Sequence, residues 1–267
     1  MPDGSPSARR TAADGSPYPD RSHPEFERDV RAMFTHIARR YDWFDHLASL
    51  GNDFLWRPRA LWDLDRFRAG RPTLRILDVG CGTGDLTRLA ARHYRSAEVV
   101  GVDFTRAMLD IAADRVRASG AEPRIGFGEA SALQLPLKDA SFDVVMSAFV
   151  VRNLPRLGEA YRELKRVLVP GGTLLTLEIT EPADLRFRGV FHRYFDTVVP
   201  FLGALVGSAG PYRYLPESLR HLPNRAEMLD LLRTTGFSPV VAVPQSRGIV
   251  TTYLAGVPDD DIARRRG

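Results

Sequence analysis

Leu77-Asp-Val-Gly-Cys-Gly-Thr-Gly-Asp-Leu-Thr87 reads as a buried strand that runs into a glycine-rich turn and then into a helix. Gly80, Gly82 and Gly84 let the backbone pass close beneath a ligand, where any Cβ would collide. Asp103 closes the next strand about 20 residues beyond Gly84, where a carboxylate accepts both hydroxyls of an adenosine ribose. A bare glycine triplet is more often only a tight turn with a capping Asp. The spacing separates the two cases here. A dinucleotide site uses G-x-G-x-x-G to seat a pyrophosphate on a helix N-terminus. This turn is G-x-G-x-G, with Asp78 before it and Asp85 after it. A negative lining opposes a pyrophosphate and suits a cationic amino-acid ligand.

Outward from the turn, strands alternate with helices. Strands are expected over 74–79, 98–103, 124–129 and 142–147, with helices over 85–93 and about 105–119. A helix over 159–168 stops at Pro170-Gly171-Gly172, and 173–179 makes a fifth strand. Such alternation implies right-handed βαβ units and a mostly parallel sheet. A helical insertion over about 183–222 follows, then a helix over 225–235 and two strands, 239–243 and 249–254. Upstream, Val30, Met33, Phe34, Ile37 and Tyr41 recur at helical spacing on one apolar face, and 54–67 reads as a second helix. The expected fold class is α/β, a doubly wound, mostly parallel, seven-stranded Rossmann-like sheet with an antiparallel edge hairpin. Its expected organisation is a disordered, Pro-rich tail over 1–24, a helical N-terminal cap over 25–70, one domain over 71–256 and a tail over 257–267.

Composition excludes several classes. The 267 residues are 44% hydrophobic and 26% charged, ordinary for a soluble globular chain. Cys81 is the lone cysteine, so no disulfide framework or Cys-rich zinc site is expected, and no metal. The net charge is +4 and the pI near 9.4. All but Lys138 and Lys165 of the 37 basic residues are arginines, spread along the chain. The run Arg264 to Arg266 follows Asp259 to Asp261 and reads as a solvated terminus, not a nucleic-acid patch. No signal-peptide pattern opens the chain, and the apolar stretch 198–207, broken by Pro200, is too short to span a bilayer. A cytoplasmic protein is expected.

The acidic strand end, glycine loop, ribose carboxylate and Pro170-Gly171-Gly172 turn resemble the class I S-adenosylmethionine-dependent methyltransferases. Four further segments resemble the UbiE/MenG-type C-methyltransferases of quinone biosynthesis. They are Ile37-Ala-Arg-Arg-Tyr41-Asp42 with Leu50-Gly51 and Trp56-Arg57; Val151-Arg152-Asn153 with 161–168; Leu177-Glu178-Ile-Thr-Glu-Pro182; and Tyr212-Arg-Tyr-Leu215 with Glu217-Ser218 and Gly236-Phe237. The chain departs from the family at three places. Trp43-Phe44-Asp45 replaces its Met-Asn pair, Ser131 stands at its adenine-side Asp or Asn, and Ala148, next to Ser147, replaces a Ser.

The resemblance implies S-adenosylmethionine as cofactor, bound by Asp78, Gly80, Gly82, Thr83, Gly84, Asp103, Phe104, Ser131, Ala132, Ser147 and Ala148. It implies methylation of a ring carbon of a prenylated hydroquinone. Arg152, Asn153 and Tyr41 are its catalytic candidates. Arg152 would hold a phenolate or polarise a water, since a guanidinium is no ordinary base. Tyr212, Tyr214, Glu178 and His192 are substrate candidates, with His46 and His192 as alternative bases. Glu178 could instead pair with an arginine, and Asn153 could instead cap the next helix. Within 183–202, apolar residues among Arg186, Arg188 and Arg193 read as core packing or as a lid that meets the membrane interface. A peripheral contact with the inner membrane face and a homodimer stay open as partners, and no nucleic acid is expected. Competing readings are a methyltransferase of another small molecule or phospholipid, a non-catalytic nucleotide-binding module and a nicotinamide-dependent oxidoreductase.

Overall fold

The structure is a computed structural model that describes residues 24–39, 46, 48–119, 124–199, 201, 218–219 and 222–259. Tyr41, Tyr212, Tyr214, the expected tail up to residue 23, the run Arg264 to Arg266 and most of 202–221 lie outside the described residues.

Among the described residues, the helices α1 (Pro24–Ile37) and α2 (Asp53–Arg68) precede the first strand. There follow β1 (Arg75–Val79), α3 (Asp85–His93), β2 (Glu98–Asp103), α4 (Arg106–Ala118), β3 (Ile125–Glu129) and β4 (Phe142–Ala148). A 3-10 turn, Val151–Asn153, leads into α5 (Leu157–Val167) and β5 (Leu168–Ile179). After α6 (Leu185–Arg193), which runs into a π-helical segment Tyr194–Val198, come α7 (Arg225–Thr234), β6 (Val240–Gln245) and β7 (Val250–Gly256). The strands form one seven-stranded sheet in the order β3-β2-β1-β4-β5-β7-β6. The first five are parallel, and β7 runs antiparallel to both β5 and β6. The α/β class and the antiparallel end of the sheet are those expected.

Parallel strands covered on both faces read as unbroken apolar runs, and the core divides accordingly. Ile76, Val144, Leu175 and Leu254 pack with Trp56, Leu61 and Leu64 of α2 and Leu86 and Ala90 of α3. Leu77, Val145 and Leu174 face the other way, onto Tyr161 and Leu164 of α5 and Met228 and Leu232 of α7. Burying each such side chain contributes about 1.5–3 kcal/mol. α2 therefore forms part of the layer that covers β5 and β7, rather than only a cap over the strand ends. A capping box starts α7: the Asn224 side chain accepts from the backbone N–H groups of Ala226 and Glu227, and Glu227 reaches back.

β5 differs from expectation. Its pairing with β4 starts at Phe142↔Leu168, breaks, and resumes at Val144↔Thr173, so Val169 to Gly172 bulge out of the ladder. Pro170 has no N–H to donate, and Gly171 sits at φ +72°, where a Cβ is strained. The same residues expected to stop a helix do so, and then bulge a strand.

β1 lies between β2 and β4, so the chain winds away from it in both directions. In open α/β sheets a crevice opens at such a switch point, beyond the carboxyl ends of the strands.

Candidate active site

The glycine turn is built to be bare. The amide groups of Gly80 and Cys81 both donate to Val102 O, at 2.8 and 3.0 Å, which clamps the turn onto β2. Gly80 lies at φ +69°, and a Cβ there would overlap the γ-methyls of Val150. Gly84, at φ +83°, lets α3 approach Ala112, which a Cβ would meet at 3.1 Å. Gly82, at φ +54°, has no protein atom within 4 Å of where its Cβ would stand. That space is the crevice.

About 1040 Å³ of open space lies above the turn, lined from the sheet side by Asp78, Gly80 to Thr83, Asp103, Phe104 and Ala148 to Val150. Ser131, Ala132, Leu133, Asn153 and Leu154 complete it, and Glu27 and Phe34 of α1 face it from above. Among the described residues, carboxylates from Glu27, Asp78, Asp85 and Asp103 stand on this lining with the guanidinium of Arg57.

Asp78 is almost wholly buried and accepts from Thr87 Oγ at 2.6 Å. Burial pushes its pKa up to about 7, although Thr87 and the charge of Arg57 oppose the rise. Asp103 accepts from the amides of Gly82 at 2.9 Å and Thr105 at 2.8 Å, which fixes its carboxylate at the end of β2. Burial raises its pKa too, against both of those bonds. Cys81 is buried in the turn, and burial lifts its thiol well above the usual range, so it is no nucleophile.

A cationic, amino-acid-bearing nucleoside fits these walls. Asp78, Asp85 and Asp103 offer the acceptors that an ammonium and ribose hydroxyls would need, with Asp85 Oδ1 also 3.5 Å from Arg115 Nη1. The Gly82 position leaves room that any side chain would take. Asn153 Oδ1 is buried on the lining without a hydrogen-bond partner, an acceptor that awaits a donor.

Neighbouring strand residues diverge. Ala148 lines the crevice, whereas Ser147 is 3% exposed and lines neither cavity. Side chains alternate along a strand, so Ser147 cannot stand in for its neighbour.

The expected substrate-side residues divide more sharply. Arg152 does not line the crevice. Its side chain lines a second, partly open cavity, with Ala48, Ser49, Asp53, Trp56, Phe149, Ile179, Phe195 and Ile249. Glu178 lies beneath it and lines neither cavity. Its Oε1 accepts from Arg152 Nη1 at 2.9 Å, and its carboxylate also accepts from the amides of Arg152 at 3.3 Å and Ile179 at 2.9 Å. Burial raises the pKa of Glu178, and the Arg152 charge works against that rise. Glu178 is thus the anchor of Arg152 and not a substrate contact, the pairing left open in the sequence. His192 is half exposed, bonded to Glu181 Oε1 at 2.6 Å, and stands on neither cavity.

Phe149 lines both cavities and forms the wall between them. Its φ of 61° is uncommon for a bulky residue. Its amide donates to Leu177 O at 2.7 Å, and its ring sits 5.4 Å from the Arg57 guanidinium, 6.0 Å from that of Arg152 and 6.1 Å from Trp56. Sequence reasoning missed Phe149, Asp53 and Arg57. The Trp56-Arg57 pair was visible as a resemblance, but no spacing says that α2 reaches the carboxyl ends of β4 and β5.

A doubly wound sheet with an antiparallel β7, and an acid-lined glycine crevice at its switch point, define a Rossmann-like S-adenosylmethionine-dependent methyltransferase. The chain is 45% identical over 207 residues to a demethylmenaquinone methyltransferase of Thermus thermophilus, covering 77% of this chain and 91% of that one. It is 39% identical over 226 residues to the ubiquinone/menaquinone biosynthesis C-methyltransferase UbiE of Syntrophotalea carbinolica, covering 85% and 93%. The crystal structure of a SAM-dependent methyltransferase from Aquifex aeolicus shares the fold, with a TM-score of 0.57, 18% identity and coverage of 81% and 97%. The model of the ubiE/COQ5 methyltransferase family matches residues 23–256, and the chain belongs to that family.

Proposed function

We infer that this methyltransferase methylates a ring carbon of a prenylated hydroquinone, the acceptor class to which its relatives' names point. One observation carries the reading. The acidic crevice shares the Phe149 wall with an apolar cavity whose buried cation is Arg152.

When bound, S-adenosylmethionine supplies an electrophilic methyl on a sulfonium. Asp78 and Asp85 hold the ammonium end, and Asp103 takes the ribose hydroxyls. Phe104, Ser131 and Ala132 would hold the base, and the glycine turn, Asn153 and Ala148 supply the rest of the lining. Arg152 donates a charge-assisted hydrogen bond to the acceptor oxygen. A phenol titrates near ~10, and a neighbouring cation favours its anion, which makes the ring carbon a better nucleophile. The guanidinium itself stays charged and takes no proton. Ile179, Phe195 and Ile249 offer an apolar bed for the start of a prenyl chain.

The reading extends to a peripheral membrane contact. Val190, Val198 and Phe201 are exposed apolar side chains on a segment that also carries Arg186 and Arg193. No helix among the described residues is long and apolar enough to cross a membrane. A Val190→Asp/Phe201→Asp protein should lose flotation with anionic liposomes and keep its cofactor affinity.

The deciding assay is methyl transfer to demethylmenaquinol, with Arg152→Ala as control. Turnover by the wild type, cut at least a hundredfold in the variant, is the expected result. A wild type that methylates a phospholipid or another small molecule but not the quinol would leave only the methyltransferase class standing.

A further inference from the structure

Asp53 opens α2 and is 2% exposed, yet it lines the same cavity as Arg152. Its Oδ2 faces His46 Nδ1 at 2.7 Å and accepts from Arg57 Nη1 at 3.1 Å. Its Oδ1 accepts from Ser49 Oγ at 2.7 Å. A carboxylate oxygen accepts two hydrogen bonds, so Oδ1 keeps capacity for one more donor. The cavity thus offers one strong donor, Arg152, and one strong acceptor, Asp53, between walls of Phe149, Ile179 and Phe195. A planar apolar ring with one oxygen that receives a hydrogen bond and one hydroxyl that gives one satisfies both.

The geometry points to Asp53 as a catalytic residue that binds an acceptor hydroxyl and takes its proton during methyl transfer, so that the site reads the reduced form of the ring. His46, Ser49 and Arg57 are its positioning residues. This rests on the hydroquinone reading above.

Burial works to raise the Asp53 carboxyl, but the Ser49 hydroxyl, the Arg57 charge and His46 outweigh it and hold the pKa below the usual value. The titratable and charged groups about it are His46 and Arg57 on its own side, and Arg152 with Glu178 from the turn after β4 and from β5. Asp53 is therefore an anion at neutral pH. A weak base suffices, because the hydroxyl turns strongly acidic only as the ring attacks. A ring π pair forms the new carbon–carbon bond while the methyl–sulfur pair departs on sulfur. The O–H pair becomes the second bond of a carbonyl, and the proton passes to Asp53 Oδ1. The methylated ring carbon then loses its own proton to water, the ring regains its π pair, and Asp53 returns its proton to the oxygen. One proton leaves per methyl transferred. An oxidised ring presents only carbonyl acceptors, which a carboxylate repels.

The test uses the full chain saturated with S-adenosylhomocysteine. Its affinity is measured for a short-tailed naphthohydroquinol, kept reduced with dithionite, and separately for the corresponding quinone. The wild type should prefer the hydroquinol at least tenfold. Asp53→Asn, whose amide donates to a carbonyl, should cut that preference below twofold and turnover at least a hundredfold, with S-adenosylhomocysteine affinity within threefold of wild type. His46→Ala should move the acid limb of the kcat profile to higher pH, and His46→Gln, which keeps an N–H donor without the charge, should restore part of that shift. An Asp53→Asn protein that keeps the preference and the turnover, or that loses S-adenosylhomocysteine affinity in step, overturns the role of Asp53 alone. A wild type that binds neither ring overturns the hydroquinone reading and this inference with it.

Discussion

Nη1 of Arg152 lies 2.9 Å from Oε1 of Glu178, with both side chains buried, 7% and 1% exposed, beneath the second cavity. The pair fixes a guanidinium where an acceptor oxygen would stand. It also explains why a glutamate stands one residue before the end of β5, in the middle of an apolar sheet.

Breaking that pair should be costly. Removal of one partner of a buried ion pair destabilises by about 3–5 kcal/mol, so Glu178→Ala should lower the denaturant midpoint markedly. Glu178→Gln keeps a hydrogen-bond acceptor and should fold. Its kcat should drop about ten- to a hundredfold while S-adenosylhomocysteine affinity, read by calorimetry, stays within threefold. Equal losses in both quantities would argue that Glu178 serves the cofactor crevice instead.

Cofactor binding should depend on pH through Asp78. Its raised pKa of about 7 means that the free protein carries a proton there below neutrality. That proton must leave before the carboxylate takes a ligand ammonium. Affinity should be full above pH 7 and fall about tenfold per unit below it, since one pKa unit is about 1.4 kcal/mol. Asp78→Asn should bind weakly at every pH with a flat profile.

The same group acts on stability with the opposite sign. The folded chain holds the Asp78 proton up to about pH 7, whereas the unfolded chain releases it near pH ~4. Protons bound more tightly in the folded state make stability fall as pH rises across that window. Thermal melts without cofactor should show this loss from pH 5 to 7.5, and saturating cofactor should reverse most of it. A melting point that rises with pH throughout the window in the free protein would contradict the placement of Asp78.

Two alanine substitutions in the glycine turn should separate strain from occupancy. Each adds a Cβ at positive φ, costing about 1–2 kcal/mol. Gly80→Ala also collides with Val150 and should be the less stable of the two. Gly82→Ala meets no protein atom, so it should carry only the backbone strain and lose less stability than Gly80→Ala, yet its Cβ stands in the crevice and cofactor affinity should fall at least tenfold.

Asn153→Ala removes the orphaned Oδ1. One hydrogen bond is worth about 0.5–1.5 kcal/mol, so S-adenosylhomocysteine affinity should weaken about two- to tenfold with the fold unchanged. Tighter binding by the variant would show that no donor reaches that oxygen.

Much of the crevice lining was legible, because its signals are local, although Gly84, just before α3, is not part of that lining. Asp78, the three glycines and Asp103 sit at strand ends, and the turn between them leaves little freedom. The alternation 147–148 was not legible, since a one-residue shift along a strand exchanges its two faces. Ser147 is buried away from the crevice that Ala148 lines. Phe149 was also invisible: its positive φ turns a large ring back between two cavities, and nothing in an apolar run announces that.

The amino-acid order by itself determined the alternation of strands and helices, the antiparallel edge and the kind of ligand the glycine loop accepts, because periodicity and backbone φ act over a few neighbours. Only the tertiary structure decided where Arg152 goes. β4 and β5 lie side by side in register, Ala148 against Leu177, and this brings Glu178 under a residue 26 positions earlier. It likewise brings Asp53, from a helix before the first strand, to the cavity that Arg152 lines. Those encounters depend on packing a helix layer against the sheet, and no spacing along one chain encodes them.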